Sequence, residues 1–157
     1  MFSLHIRGTD VQISIDASNA SLHKRSYRFD GGTAPLNEVL AAGIIALSNW
    51  DRKMPFVDGM CGSGTLTIEA LMRTNNKPAG FDRRIFGFMN WPNFDQNLWD
   101  RLKQEAEDNI KIEYPNIKGI EIDGKVLALA KENMVRAGFK PIHHLESDDF
   151  FNYKPKE

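Results

Sequence analysis

Pro55-Phe56-Val57-Asp58-Gly59-Met60-Cys61-Gly62-Ser63-Gly64-Thr65 runs directly into the helical pattern Leu66-Thr67-Ile68-Glu69-Ala70-Leu71-Met72. An apolar run, a glycine-dense turn and a helix predict strand, tight loop and helix in succession. Glycine lets backbone turn sharply and lets a ligand approach closely. The N-terminus of the following helix presents N–H groups that have no partner within the helix, which suits an anionic group. The stretch reads as a cofactor cradle; an ordinary βα turn without a ligand is the alternative.

The common glycine-rich loops make different chemical demands. A phosphate-binding loop needs Lys and then Ser or Thr after its last glycine. Gly59 and Gly64 have that spacing, but Thr65 stands where the Lys belongs. A dinucleotide fingerprint needs a third small residue for close helix–strand packing, and Thr67 fits that place poorly. What remains is Asp58 at the strand's end beside a glycine turn. That combination suits a ligand carrying an ammonium and a carboxylate, such as the methionine end of S-adenosylmethionine.

The chain of 157 residues is long enough to bury a core as one domain, and its formal net charge of -1 makes it no global attractor of nucleic acid. Any grip on RNA must therefore be local or lie elsewhere. The single cysteine, Cys61, excludes an internal disulfide and suits a reducing compartment. No His or Asp pattern nearby activates it as a nucleophile, so it reads as a small packing residue. The sequence has neither a bilayer-length apolar run nor a signal-peptide layout, which leads to the expectation of a cytoplasmic protein with no membrane partner.

Phe2, Leu4 and Ile6, then Val11, Ile13 and Ile15, alternate with polar residues on either side of Gly8-Thr9-Asp10, predicting a hairpin of two half-buried strands. Ser21-Leu22-His23-Lys24-Arg25-Ser26-Tyr27-Arg28 is the densest positive cluster. Its charges and aromatic can hold phosphate and stack on a base, or simply form a solvated loop. From Leu36 to Leu47, apolar residues at spacings of three and four predict a largely buried helix, with Pro35 in its first turn.

Residues from about 75 to 97 are irregular and aromatic, and read as a cover over the core or a stacking surface. An amphipathic helix with an acidic outer face follows, marked by Trp99, Leu102, Ala106 and Ile110. Ile117 to Ile122 reads as the second core strand, and Asp123 as the N-cap of a helix that ends at Gly138. Glu121 at that strand's end can accept hydrogen bonds from both ribose hydroxyls of a nucleoside. From the residues alone Asp123 could do the same, although capping explains it better. Pro141 to Glu146 reads as a third strand; adjacent His143 and His144 point to opposite faces of it, so no metal site is expected.

Asp58-Gly59-Met60-Cys61-Gly62-Ser63-Gly64-Thr65 resembles the Asp-Pro-Met-Cys-Gly-Ser-Gly-Thr motif of THUMP-associated RNA methyltransferases. That family includes the enzymes that methylate guanine N2 in large-subunit ribosomal RNA, and its members are often labelled N6-adenine-specific DNA methylases. Gly59 departs from the family's Pro. The basic segment resembles the family's Leu-His-Lys-Arg-Gly-Tyr-Arg, with Ser26 replacing Gly, and Gly119-Ile120-Glu121-Ile122-Asp123 resembles Gly-Ile-Asp-Ile-Asp. The resemblance implies that the first acid of that pattern, here Glu121, takes the ribose. It also implies that Asp149-Phe150 receives the adenine, with Asp148 as the fallback, and that the Ala34-Pro35-Leu36 helix start lies beside the methionine end.

Families that methylate exocyclic amines hold the acceptor with Asn or Asp followed by Pro-Pro and an aromatic, and no such run occurs in the chain. The expectation is therefore an α/β protein: the N-terminal part of a class I, Rossmann-like methyltransferase fold, with about three parallel strands, helices and a preceding hairpin. Residues 1–157 are expected to form one truncated domain, with the hairpin and basic segment in 1–33 and the cofactor-binding βαβ half in 34–157. The cofactor set is Ala34, Leu36, Asp58, Gly59, Met60, Cys61, Gly62, Gly64, Thr65, Glu121, Ile122, Asp149 and Phe150. Lys24, Arg25 and Arg28 are the RNA-binding set, with ribosomal RNA as partner in an intact protein that also carries a THUMP domain. No catalytic residue is assigned and the chain alone should not turn over. A DNA adenine-N6 methyltransferase and a nucleotide-binding module using NAD are the alternatives.

Overall fold

The computed structural model describes residues 2–28, 36–113 and 115–154. Phe2–Arg7 (β1) and Asp10–Ile15 (β2) pair antiparallel from Phe2↔Ile15 to Arg7↔Asp10 around a Gly8-Thr9 turn. Gly8 sits at φ +61, the left-handed conformation that tight hairpin turns require. This register puts Phe2, Leu4, Ile6, Val11, Ile13 and Ile15 on one face. Every residue of both strands is exposed, which corrects the expectation of half-buried strands. The ties to the rest of the chain fall after β2, where Phe88 N–H donates to Ala17 O and Arg83 donates to Ser18 O and Ala20 O.

Helix α1 spans Glu38–Leu47 and is capped by Asn37, whose Oδ1 accepts from the N–H groups of Val39 and Leu40. Pro35, the expected first-turn proline, lies outside the described residues. Only Glu38, Ala41 and Ile45 of this helix are buried, while Val39, Leu40, Ile44 and Leu47 are exposed. The expectation of a largely buried helix is thus corrected. Among the described elements α1 packs chiefly on α2 (Thr65–Thr74), and a single helix covers only one stripe of another.

Phe56–Asp58 (β3), Ile117–Ile120 (β4) and Leu145–Glu146 (β5) form a parallel sheet in the order β3-β4-β5. Asp58 faces Gly119 in the register, and Ile120 faces Glu146. The C-terminal ends of all three strands therefore open on one edge, where ligands of such sheets collect. The third strand is shorter than expected. Pro141–His143 forms a 3-10 turn instead, and Pro141 supplies its fixed φ at the turn's start. Gln96–Asp108 (α3) is capped by Asp95 and packs Trp99 against Phe86 and Phe88, so the irregular aromatic stretch covers this helix. Gly124–Arg136 (α4) is capped by Asp123, as expected, and Gly138 follows it at φ +87.

α2 is buried along nearly its whole length, and Ile68, Leu71, Ile117, Ile120 and Met134 make the centre of the core. Burial of each such side chain stabilises the fold by about 1.5–3 kcal/mol. This packing fixes where α2 begins, and with it the glycine loop.

Candidate functional site

The loop between β3 and α2 is pinned from several directions. Cys61 N–H donates to Ile120 O at 2.9 Å, Gly64 N–H to Cys61 O at 2.8 Å, and Gly62 N–H to Glu121 Oε2 at 3.0 Å. The buried Asn133 of α4 donates its side-chain amide to Ser63 O at 3.1 Å. Gly62 at φ +55 and Gly64 at φ +84 take backbone conformations that side chains resist. Gly64 is also the N-cap of α2 and offers no side chain to it, so the positive end of the helix opens towards the loop.

Two carboxylates sit at adjacent strand ends. Asp58 accepts the Thr67 hydroxyl at 3.3 Å. Burial raises its pKa above the usual carboxylate value, against the lowering effect of the Thr67 hydroxyl and the Met60 N–H, and the Glu121 charge raises it further. Among the described residues no Lys or Arg forms an ion pair with Asp58. Glu121 stands just past β4 with Oε2 on Gly62 N–H and Oε1 on Asp123 N–H at 2.9 Å. A carboxylate oxygen has two acceptor positions, so each oxygen of Glu121 keeps one beyond these bonds.

Apolar side chains flank these acids. Met60 and Ile122 are strongly exposed, and Phe150, 44% exposed, lies over Gly59. A Cβ at position 59 would stand 2.4 Å from Phe150 Cδ2, so this ring position requires glycine there and excludes the Pro of the resembling motif. Cys61 is buried, and its thiol is pushed up to about 12 by burial and by the Asp58 and Glu121 charges. It is a packing residue, not a nucleophile.

The basic segment turns inward. Arg25, half-buried, has its Nε 3.2 Å from Oε1 of the buried Glu69, and the Tyr27 hydroxyl donates to the same oxygen at 3.0 Å. Burial pushes the Glu69 carboxyl up despite the opposing Arg25 charge. Arg28 pairs with Glu38, donates to Leu36 O at 3.1 Å and also donates to Thr65 Oγ1. Lys24 is exposed. Asp149 accepts from Phe151 N–H and from the Asn152 amide, closing the turn after β5 at the same sheet edge, while Asp148 accepts from Asp149 N–H. Ala34 lies outside the described residues.

The sheet edge thus gathers Asp58 to Thr65, Glu121 and Phe150, and the basic segment brings Leu36 to the same helix end. Sequence reading missed Glu38, Glu69 and Asn133. Glu69 carried a signal, since it is the one acid in the apolar run Leu66 to Met72. Asn133 carried none, being one polar residue among several on its helix.

A family model described as "RMKL-like, methyltransferase domain" matches residues 25–157. A ribosomal RNA large subunit methyltransferase K/L from Desulfotalea psychrophila is 43% identical over 145 residues, covering 87% of this chain and 20% of that protein. YpsC of Bacillus subtilis, named as a candidate RNA methyltransferase, is 41% identical over 127 residues, 80% of this chain and 33% of its own length. A candidate methyltransferase solved in complex with SAH superposes with a TM-score of 0.89 at 34% identity, over 99% of this chain and 41% of the other. A structure from Listeria monocytogenes named as a predicted N6-adenine-specific DNA methylase gives a TM-score of 0.87, also at 34% identity. The chain spans about a fifth to two fifths of the length of these relatives. Its sheet order, its glycine loop and the extent of the family match agree: the chain belongs to the RMKL-like methyltransferase domain family.

Proposed function

We infer that this chain forms the S-adenosylmethionine-binding part of an RNA methyltransferase that acts on large-subunit ribosomal RNA, at guanine N2. The observation that carries the reading is the pairing of Asp58 and Glu121 at neighbouring strand ends with the glycine loop held between them. The residues suit the cofactor. Asp58, half-buried and without a basic partner among the described residues, would take the ammonium. Glu121 would take the ribose hydroxyls through its remaining acceptor positions, and Phe150, Met60 and Ile122 would flank the adenine, with Asp149 at its amino group. When bound, S-adenosylmethionine supplies a methyl group on a sulfonium, open to in-line displacement by an amine. The chain's own part is to orient that group and to keep water from it.

The names of the relatives support ribosomal RNA as the partner; a THUMP domain elsewhere in the intact protein and a cytoplasmic location are further parts of the proposal. In this reading residues 1–33 carry the hairpin and basic segment, and 34–157 the cofactor half. Lys24 is the exposed charge of the basic segment and the one best placed to meet RNA. Titration calorimetry tests the cofactor: S-adenosylmethionine and S-adenosylhomocysteine bind and NAD does not, and the reverse order would overturn the reading. The name of the Listeria structure favours a second acceptor, adenine in DNA. Labelled-methyl transfer to large-subunit ribosomal RNA against adenine-bearing DNA, with the chain in its complete polypeptide, separates the two.

A further inference from the structure

Arg28 ends a buried path that leads from the basic segment to the glycine loop. Its Nη2 reaches Thr65, the first residue of α2, and its Nη1 holds Leu36 O at 3.1 Å. Nε lies 3.4 Å from Glu38 Oε1 yet makes no hydrogen bond among the described residues, although it is shut off from solvent. The side chain is 11% exposed and that of Glu38 5%. A guanidinium has five N–H donors in a planar fork that matches a carboxylate. Among the described residues two of them are in use, so Arg28 brings spare donors and a fixed charge to the helix end that Gly64 leaves uncapped.

We propose that Arg28 receives the carboxylate of the cofactor's amino-acid end, beside the N-terminus of α2, and does not serve as an RNA phosphate contact. This rests on the S-adenosylmethionine reading above. The two ends of the amino acid are then sorted by charge, the ammonium on Asp58 and the carboxylate on Arg28 and the first N–H groups of α2. Glu38 holds the guanidinium in place while the site is empty and limits the cost of its burial.

The test compares two ligands that share a nucleoside: S-adenosylhomocysteine, which has the carboxylate, and 5′-methylthioadenosine, which lacks the amino acid. Arg28→Met leaves Glu38 buried without its partner, so Arg28→Met/Glu38→Gln, which removes both charges, and Arg28→Lys, which keeps one, are measured beside it. In each folded variant the affinity for S-adenosylhomocysteine should fall, about ten- to a hundredfold for the double variant and less for Arg28→Lys. Affinity for 5′-methylthioadenosine should stay within about twofold. A parallel loss of both ligands would make Arg28 a structural anchor only, and an unchanged S-adenosylhomocysteine affinity would remove it from the site. If the wild-type chain binds neither ligand, the cofactor reading itself falls and this proposal with it.

Discussion

The backbone N–H of Gly62 donates to Glu121 Oε2 at 3.0 Å across 59 residues of sequence. The acid just past the end of β4 therefore also sets the height of the glycine loop beside it. Glu121 Oε1 is fixed in turn by Asp123 N–H, within the turn that starts α4. Strand, loop and helix cap share one carboxylate, and a ligand at Glu121 would meet a loop already in position.

Glu121→Ala should lower cofactor affinity by about 1.5–3 kcal/mol, the range for a hydrogen bond to a charged group. The same change strips acceptors from two backbone N–H groups, so the apo protein should also lose stability in urea. Glu121→Gln retains an acceptor oxygen and should fall between. Calorimetry that shows wild-type affinity in the alanine variant would remove Glu121 from the site.

Close approach of α2 to the sheet depends on a glycine, but not one in the loop. Thr67 is fully buried, and a Cβ on Gly119 of β4 would come within 2.6 Å of its Oγ1, 2.9 Å of Leu145 Cδ2 and 3.0 Å of Cys61 Cβ. Gly119→Ala should cost about 1–3 kcal/mol through overpacking. Gly43 lies inside α1 with no described residue near its would-be Cβ, and Gly43→Ala should stabilise by about 0.5–1 kcal/mol. Chemical denaturation midpoints that move in opposite directions are the expected result.

This pair also shows what the sequence made legible. The strand, loop and helix of the cradle announce themselves because glycine, acid and apolar periodicity are local signals. Asp123 and Gly138 mark the ends of α4 for the same reason. Thr67 looked like a poor fit to a dinucleotide loop because the compensating small residue, Gly119, sits on another strand. The inward turn of Arg25 and Arg28 was hidden in the same way. A positive cluster reads as a surface until Glu69 and Glu38, both on helices elsewhere in the chain, are brought against it. The exposure of α1 and of the hairpin face reflects the lack of a covering element among the described residues, which periodicity does not report.

Cys61 should resist alkylation. Its thiol is buried and held mostly protonated, pushed up to about 12. Iodoacetamide at mildly alkaline pH should label the native chain far more slowly than the urea-unfolded chain, as judged by intact mass. Comparable rates would mean that the loop opens readily.

His144 gives the fold a pH dependence with a definite sign. It is buried, its Nδ1 lies 2.9 Å from Ile117 O, and burial lowers its pKa from 6.5. The unfolded chain takes up the proton first as pH falls. Its contribution to stability is therefore present above about 6.5 and lost as pH drops through the depressed folded value. Between about pH 8 and about pH 5.5 the wild type should lose more stability than His144→Gln. Equal losses would place the titrating group elsewhere.

Asp58 should set stability against binding. Burial raises its folded pKa above 3.8, so the apo protein is favoured at low pH and gives up that stability as pH rises through the raised value. Once ionised, the carboxylate is a cost to the empty fold, and an ammonium placed against it offsets that cost. Asp58→Asn keeps an acceptor for the Thr67 hydroxyl and removes the charge. The apo variant should melt at the same temperature as wild type or higher, while its affinity for S-adenosylhomocysteine drops by about 1.5–3 kcal/mol. Affinity of the wild type should rise with pH as Asp58 ionises, and the variant should lack that rise. A variant that loses melting temperature and affinity together would make Asp58 a structural partner of Thr67 instead of the ammonium's counter-charge.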